Sequence, residues 1–216
     1  MSPTRAVPIP TPIYRIFDAK NLRSVLQDGC FHSPRALQNS GEKIIHISHT
    51  GIMDRRATTP VPCGPGGCLN DYVGFYFAPR SPMLYAIAMN NVEGHDGNQE
   101  RIMYAVTTAQ AVQNRGLPFV FTDGHGIMAW TDFFDDLSLL REVDWSIMNL
   151  RYWNDTNESP DRKRRRQAEF LVHRFFPWDL VHEVGVKTEH MRKSVQKVLS
   201  EYGRDTTVTA YPDWYY

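Results

Sequence analysis

Short β-prone runs, each closed by a helix-starting residue, a glycine or a proline, succeed one another along this chain without the regular strand–helix–strand period of a doubly wound fold. Residues 12–17, PIYRIF, read as a strand, after which Asp18 stands where a helix N-cap belongs. Leu22, Val25 and Leu26 follow at helical spacing, and Gly29 offers a left-handed stop. Residues 71–77, DYVGFYF, are aromatic and β-prone and run into Ser81 and Pro82, a good helix start. Residues 32–42 read as polar and irregular, 52–56 as a short helix, and 59–70, rich in Pro and Gly, as loop. Further strands are predicted at 102–106 and 118–122, with a helix over 109–113 and a longer helical stretch over 131–151. A last helix over 189–202 is capped by Thr188 and closed by Gly203, and a terminal strand runs through 206–210. This mixture predicts an α+β fold with an antiparallel or mixed sheet.

At 216 residues the chain suffices for one well-buried core, so 12–216 is expected to form a single domain behind a proline-spaced tail, 1–11. That tail has no apolar leader segment, and no apolar run is long enough to cross a bilayer, so a cytoplasmic protein with no membrane contact is the default expectation. The three cysteines, Cys30, Cys63 and Cys68, imply no disulfide framework. Lys+Arg and Asp+Glu balance at 24 each, which argues against a uniformly basic surface that coats duplex DNA; any nucleic-acid contact must be local.

The chain has no GxGxxG after a strand, no GxxxxGK[ST] and no GxSxG. CGPGGC at 63–68 is glycine-rich but precedes no helix start, and the pair Cys63 and Cys68 with His46 and His49 makes a weak zinc pattern, so no metal is expected. His125, in TDGHG, is the histidine in the most loop-like, polar setting; a hydrogen-bonded packing role is its alternative. Arg55 and Arg56 read equally as a solvated helix end.

Glu169 differs from these, because it puts a carboxylate inside a strand of mostly apolar residues, AEFLVHRFF, with Glu169, Leu171 and His173 on one face. An isolated charge there costs free energy unless it meets a partner or lines a cleft, and the residues alone leave both open. Directly before it stand Arg162, Lys163, Arg164, Arg165 and Arg166, on a loop that begins near Asn154 and could hold a phosphate backbone. Tyr152 and Trp153 just upstream offer aromatic faces on which an unpaired base could stack, while an ordinary solvated charge run is the alternative.

Four stretches together resemble the DarT family of DNA ADP-ribosyltransferase toxins: PIYRIFDAKNL, HTGIMDRRATTPVP, DYVGFYFAPRSPMLYAI and DRKRRRQAEFLVHRFFPW. They fall in the family's order and extend over about 12–186. The resemblance implies an ADP-ribosyltransferase domain with a split, twisted sheet whose cleft takes NAD as co-substrate, and no metal. It places Arg15, Ile16 and Phe17 against the nicotinamide, Ser24 and His32 at further cofactor contacts, and Tyr76 beside the nicotinamide. It makes about 37–58 the NAD-binding loop, with Arg56 holding the cofactor and assisting catalysis, and about 125–169 the substrate-facing region. Glu169 matches the catalytic glutamate.

DNA contacts are then expected from His125, Tyr152 and the run Arg162, Lys163, Arg164, Arg165 and Arg166. The implied reaction attaches ADP-ribose to a base of single-stranded DNA, thymine foremost, and the implied partner is a macrodomain antitoxin that removes it. Transfer to RNA, protein or water, and a non-catalytic nucleic-acid-binding module on the same fold, are the alternatives. The sequence departs from the family pattern at Arg15, where members commonly carry His, and at Gly74, where they carry Pro.

Overall fold

A computed structural model describes residues 6–40, 50–92 and 97–216. In chain order the strands are β1 (Pro12–Asp18), β2 (Cys30–His32), β3 (Tyr72–Tyr76), β4 (Ile102–Thr108), β5 (Phe119–Thr122), β6 (Phe133–Phe134), β7 (Glu169–His173), β8 (Phe175–Pro177), β9 (Glu183–Val186) and β10 (Thr207–Ala210). The α-helices are α1 (Leu22–Asp28), α2 (Pro34–Ser40), α3 (Thr50–Thr58), α4 (Pro82–Ala88), α5 (Ala109–Asn114), α6 (Trp145–Met148), α7 (Arg162–Arg165) and α8 (Glu189–Glu201).

Eight strands form one mixed sheet in the order β10-β9-β4-β1-β3-β7-β5-β6, and β2 pairs with β8 in a second, small sheet. Among the described residues only β9 and β10 run parallel; the other pairs are antiparallel. The expected α+β class with a split mixed sheet is therefore what the chain forms.

The split lies between β1 and β3. β1 is in register with β4 along its whole length, from Pro12↔Thr108 to Asp18↔Ile102, yet it meets β3 only at Tyr14↔Tyr76. β3 in turn pairs fully with β7, from Tyr72↔His173 to Tyr76↔Glu169. Two ladders thus share a corner and part beyond it.

Alternation along the strands sends neighbours to opposite cores. Phe17, Phe121, Phe170 and Val172 join the largest cluster with Leu22 and Leu26 of α1 and Val195 and Leu199 of α8. Ile16 and Tyr104 pack instead against Leu84 and Ile87 of α4. Val120 and Leu171 pack with Val61, Leu69 and Tyr72. The helix signals hold where expected: Ser81 accepts from Leu84 N at the start of α4, Thr188 accepts from Met191 N at the start of α8, and Gly29 closes α1 with φ 73°. Asp18 caps a single 3-10 turn, accepting from Lys20 N, before α1 begins.

Four expectations need correction. The stretch over 131–151 is not one helix but β6, a 3-10 turn over Leu137–Glu142 and α6. Two aspartates cause the interruption, because Asp136 accepts from Ser138 N and Asp144 from Ser146 N and Ile147 N, each starting the chain afresh as a cap. The predicted strand through residues 168–176 breaks at Arg174, whose φ of 65° turns β8 away to pair with β2. Residues 34–40 of the stretch read as irregular form α2, with Ser33 Oγ accepting from Ala36 N. The basic run forms α7 rather than loop. Residues 41–49, which carry the isoleucines, His46, His49 and the middle of the expected NAD-binding loop, lie outside the described residues. Of the tail, Thr11 is buried and accepts its own fastening from Gln110 Nε2 while donating to Pro8 O.

Candidate active site

A cavity of about 630 Å³ occupies the split. Its walls come from both strands beside the gap, Arg15, Ile16 and Phe17 of β1 and Gly74, Phe75 and Tyr76 of β3, and from α3, α4 and the start of β7. The gap itself is bridged by a side chain: Arg15 Nη1 donates to the carbonyl of Gly74 at 3.0 Å, where a backbone ladder would otherwise continue. The guanidinium also lies 5.1 Å from the Phe31 ring centroid. Burial pushes its pKa down to about 10, with Tyr76 opposing that shift and the neighbouring Arg56 charge adding to it.

Glu169 opens β7 with its side chain 9% exposed, and Arg56, from the last turn of α3, meets it with a side chain 11% exposed. Arg56 Nη1 donates to Oε1 at 2.8 Å and to Oε2 at 3.0 Å. The strand position is fixed from behind, since Glu169 N donates to Thr122 Oγ1 at 3.0 Å. The sequence left a buried ion pair and a cleft-lining carboxylate as alternatives; the structure has both at once, since both residues line the cavity. Tyr76 is the direct cross-strand partner of Glu169, and burial followed by the carboxylate's charge pushes its phenol well above the usual range.

His125 also lines the cavity. Burial lowers its pKa against the opposing pull of Glu169, and its Nδ1 is buried without a protein partner. Its backbone N donates to Arg164 O, which ties the 123–131 loop to α7. Glycine makes this approach possible, because a Cβ on Gly126 would stand 3.1 Å from Glu169 Oε2 and 3.2 Å from Leu69 Cδ1.

His32, on β2, lines the cavity with Nε2 3.3 Å from Cys30 Sγ. Ser24 does not line it; Asn21, just before α1, does. Tyr152 is 75% exposed and away from the cavity walls, while Trp153 beside it is 4% exposed and forms part of them.

The basic run divides sharply. Arg164 pairs with Asp123 at 3.0 Å and Asp161 at 2.9 Å. Arg165 pairs with Asp144 and donates to Ser159 Oγ. Arg166 is 2% exposed and donates to the carbonyls of Pro79 and Arg80. These three, expected to hold a phosphate backbone, are thus engaged by aspartates, a serine hydroxyl and backbone carbonyls of the protein itself. Lys163 is exposed and reaches the cavity mouth, and Arg162 donates to Tyr152 O. The sequence also missed the wall formed by Pro82, Met83 and Tyr85 of α4, whose only signal is ordinary helix amphipathicity.

Among the described residues, no group of three or more His, Cys, Asp or Glu is placed to hold a metal ion, and no helix is long and apolar enough to cross a membrane.

A DNA ADP-ribosyl transferase from Thermus sp. (strain 2.9) is 42% identical over 214 residues, 98% of this chain and 99% of the relative. The structure of Thermus sp. 2.9 DarT in complex with ADP-ribosylated ssDNA superposes with a TM-score of 0.91 at 41% identity, covering 99% of this chain and 100% of the other. The same protein in complex with NAD+ gives 0.87 at 40% identity, covering 98% and 100%. The family model described as ssDNA thymidine ADP-ribosyltransferase, DarT, matches residues 14–216. A split sheet, a cavity in the split and an arginine–glutamate pair on its wall thus accompany a match along nearly the whole sequence, and the chain belongs to the DarT family.

Proposed function

We propose that this protein transfers ADP-ribose from NAD to a thymine base of single-stranded DNA, releasing nicotinamide. The observation that carries the reading is the Arg56–Glu169 pair on the cavity wall, in a chain whose relatives are solved with NAD+ and with ADP-ribosylated ssDNA. The cavity suits a polar ligand, since charged and polar side chains from several elements, Arg15, Arg56, His125 and Glu169, stand on its wall.

The chemistry needs one carboxylate in two capacities. Glu169 stabilises the positive charge that develops on the ribose as the bond to nicotinamide breaks, then accepts the proton from the ring nitrogen of the attacking base. The new bond joins that nitrogen to the same ribose carbon; nicotinamide leaves neutral with the bonding electrons, and the proton passes from Glu169 to solvent. Arg56 holds the carboxylate in place before the reaction and supplies a bidentate donor for a phosphate of the dinucleotide. Arg15, Ile16 and Phe17 bound the nicotinamide end of the site, with Tyr76 and His32 beside it.

A base inside a duplex cannot reach a cleft of this kind, so the acceptor is single-stranded. His125, Lys163, Arg162 and Tyr152 form the approach for the strand. An enzyme that modifies the DNA of its own cell is a toxin, and the reading pairs it with a macrodomain antitoxin that removes the ADP-ribose, both in the cytoplasm. The test is mass spectrometry of short single-stranded oligonucleotides, each with one base type replaced, after incubation with NAD. An ADP-ribose mass increment that disappears only when thymine is replaced is the expected result; modification of RNA or protein in the same mixture with untouched DNA would refute it.

A further inference from the structure

Residues 149–161 belong to no helix or strand, yet Trp153 within them is buried and forms part of the cavity wall. Its Nε1 donates to Tyr216 Oη at 2.9 Å, and that hydroxyl donates onward to the carbonyl of Arg80 at 2.7 Å. The Arg80 guanidinium lies 4.0 Å from the Tyr216 ring centroid, and the Arg80 carbonyl also accepts from the buried Arg166. Tyr85, another wall residue, sets its ring edge-on to Trp153 at 5.7 Å and packs against Tyr216 at 5.1 Å. The backbone of Tyr216 is held as well, its N donating to Gln99 Oε1 and its O accepting from Gln99 Nε2.

One side chain at the end of the sequence therefore joins three pieces of the cavity's surroundings: the turn after β3, helix α4 and the irregular segment carrying Trp153. Tyr216 itself does not line the cavity. We propose that Tyr216 is a positioning residue that holds the Tyr85–Trp153 wall in the shape that admits a planar nucleobase ring. The proposal rests on the reading of the cavity as a nucleotide site. A base ring belongs either to the dinucleotide or to the DNA strand, and an aromatic wall suits both.

The test is Tyr216→Phe, which keeps the ring and removes the hydroxyl link. Binding of NAD alone and of a short thymine-containing single-stranded oligonucleotide alone is followed by calorimetry, beside turnover and thermal melting. The expected result is a rise of about three- to tenfold in the dissociation constant of one ligand, the factor carried by one neutral hydrogen bond, with kcat at saturation retained. The arm that moves identifies whose base the wall receives. In a Trp153→Phe background the same substitution is expected to add nothing, because Tyr216 acts through that ring. A fall in melting temperature with both dissociation constants unchanged, or an effect that persists in full without Trp153, overturns the proposal. The titrations require no turnover, so a wild-type chain that binds both ligands but leaves DNA unmodified would remove the proposed function and not this assignment.

Discussion

Arg56 Nη1 donates to both carboxylate oxygens of Glu169 across 113 residues of sequence, joining the last turn of α3 to the first residue of β7. Neither side chain is more than 11% exposed, so each is the other's main compensation for leaving water. This coupling makes the two substitutions unequal.

Glu169→Gln keeps the size and one acceptor oxygen while removing the base. Transfer to the oligonucleotide is expected to fall by about 10²–10⁴-fold, the usual worth of a positioned general base, and the melting temperature to fall by less than in Arg56→Ala, because glutamine keeps one oxygen to accept from the uncompensated Arg56. Wild-type rates of nicotinamide release and adduct formation in this variant would remove Glu169 from the mechanism.

Arg56→Ala leaves a buried carboxylate alone and is expected to destabilise the fold by about 3 kcal/mol as well as weaken NAD binding. In a double-mutant cycle with Glu169→Gln the stability losses should be strongly non-additive. Additive losses in denaturant titration would mean that the pair contributes nothing.

Two glycines near the pair should respond in opposite ways. Gly126→Ala puts a methyl 3.1 Å from Glu169 Oε2, so turnover should drop while the fold persists. At Gly74 a Cβ meets only Leu171 Cδ2 at 3.7 Å and Arg56 Nη2 at 3.9 Å, and Gly74→Ala should stabilise the strand by about 0.5–1 kcal/mol. Melting curves and initial rates on the two variants check both statements.

The basic run should split by function. Arg164→Ala strands Asp123 and Asp161 and is expected to cost about 2 kcal/mol, discounted for partial exposure. Lys163→Ala should leave stability unchanged, weaken oligonucleotide binding and lower the salt slope of that binding by about one charge. Equal salt slopes for wild type and Lys163→Ala would take Lys163 off the DNA path.

Burial holds the His125 pKa below its ordinary value of about 6.5, so the folded protein favours neutral imidazole. Its contribution to stability is present above that ordinary value and is lost as pH falls through it toward the depressed folded value. Wild type should therefore lose stability relative to His125→Gln between about pH 7 and pH 5.5. Parallel stability curves across that window would show that the imidazole is not desolvated.

Local signals carried much of the fold. The caps at Ser81 and Thr188, the stop at Gly29 and the runs that became β1, β3, β4 and β5 each rest on interactions within a few residues, which a sequence displays. What escaped depends on distant partners. The basic run offered five similar cations, and only the folded chain brings Asp123 and Asp144 against Arg164 and Arg165 and the Pro79 carbonyl against Arg166. The helix expected over 131–151 failed because Asp136 and Asp144 bond their own backbone, a competition that apolar spacing does not register. Glu169 could be singled out as a carboxylate among apolar residues, but its pairing with Arg56 could not be separated from an ordinary buried ion pair until both were seen on one cavity wall.

Because β1 leaves β3 after a single matched pair, each strand turns a stretch of amide and carbonyl groups toward the interior with no neighbour of its own kind. Such an edge, exposed on the outside, would recruit another chain; enclosed, it can be completed only by something small enough to enter. A carboxamide carries one donor and one acceptor in the same plane, as a peptide does, and can stand in for the missing strand. Occupancy should then slow hydrogen exchange at the inward amides of β1 and β3 while leaving the β4 side of β1 as it was.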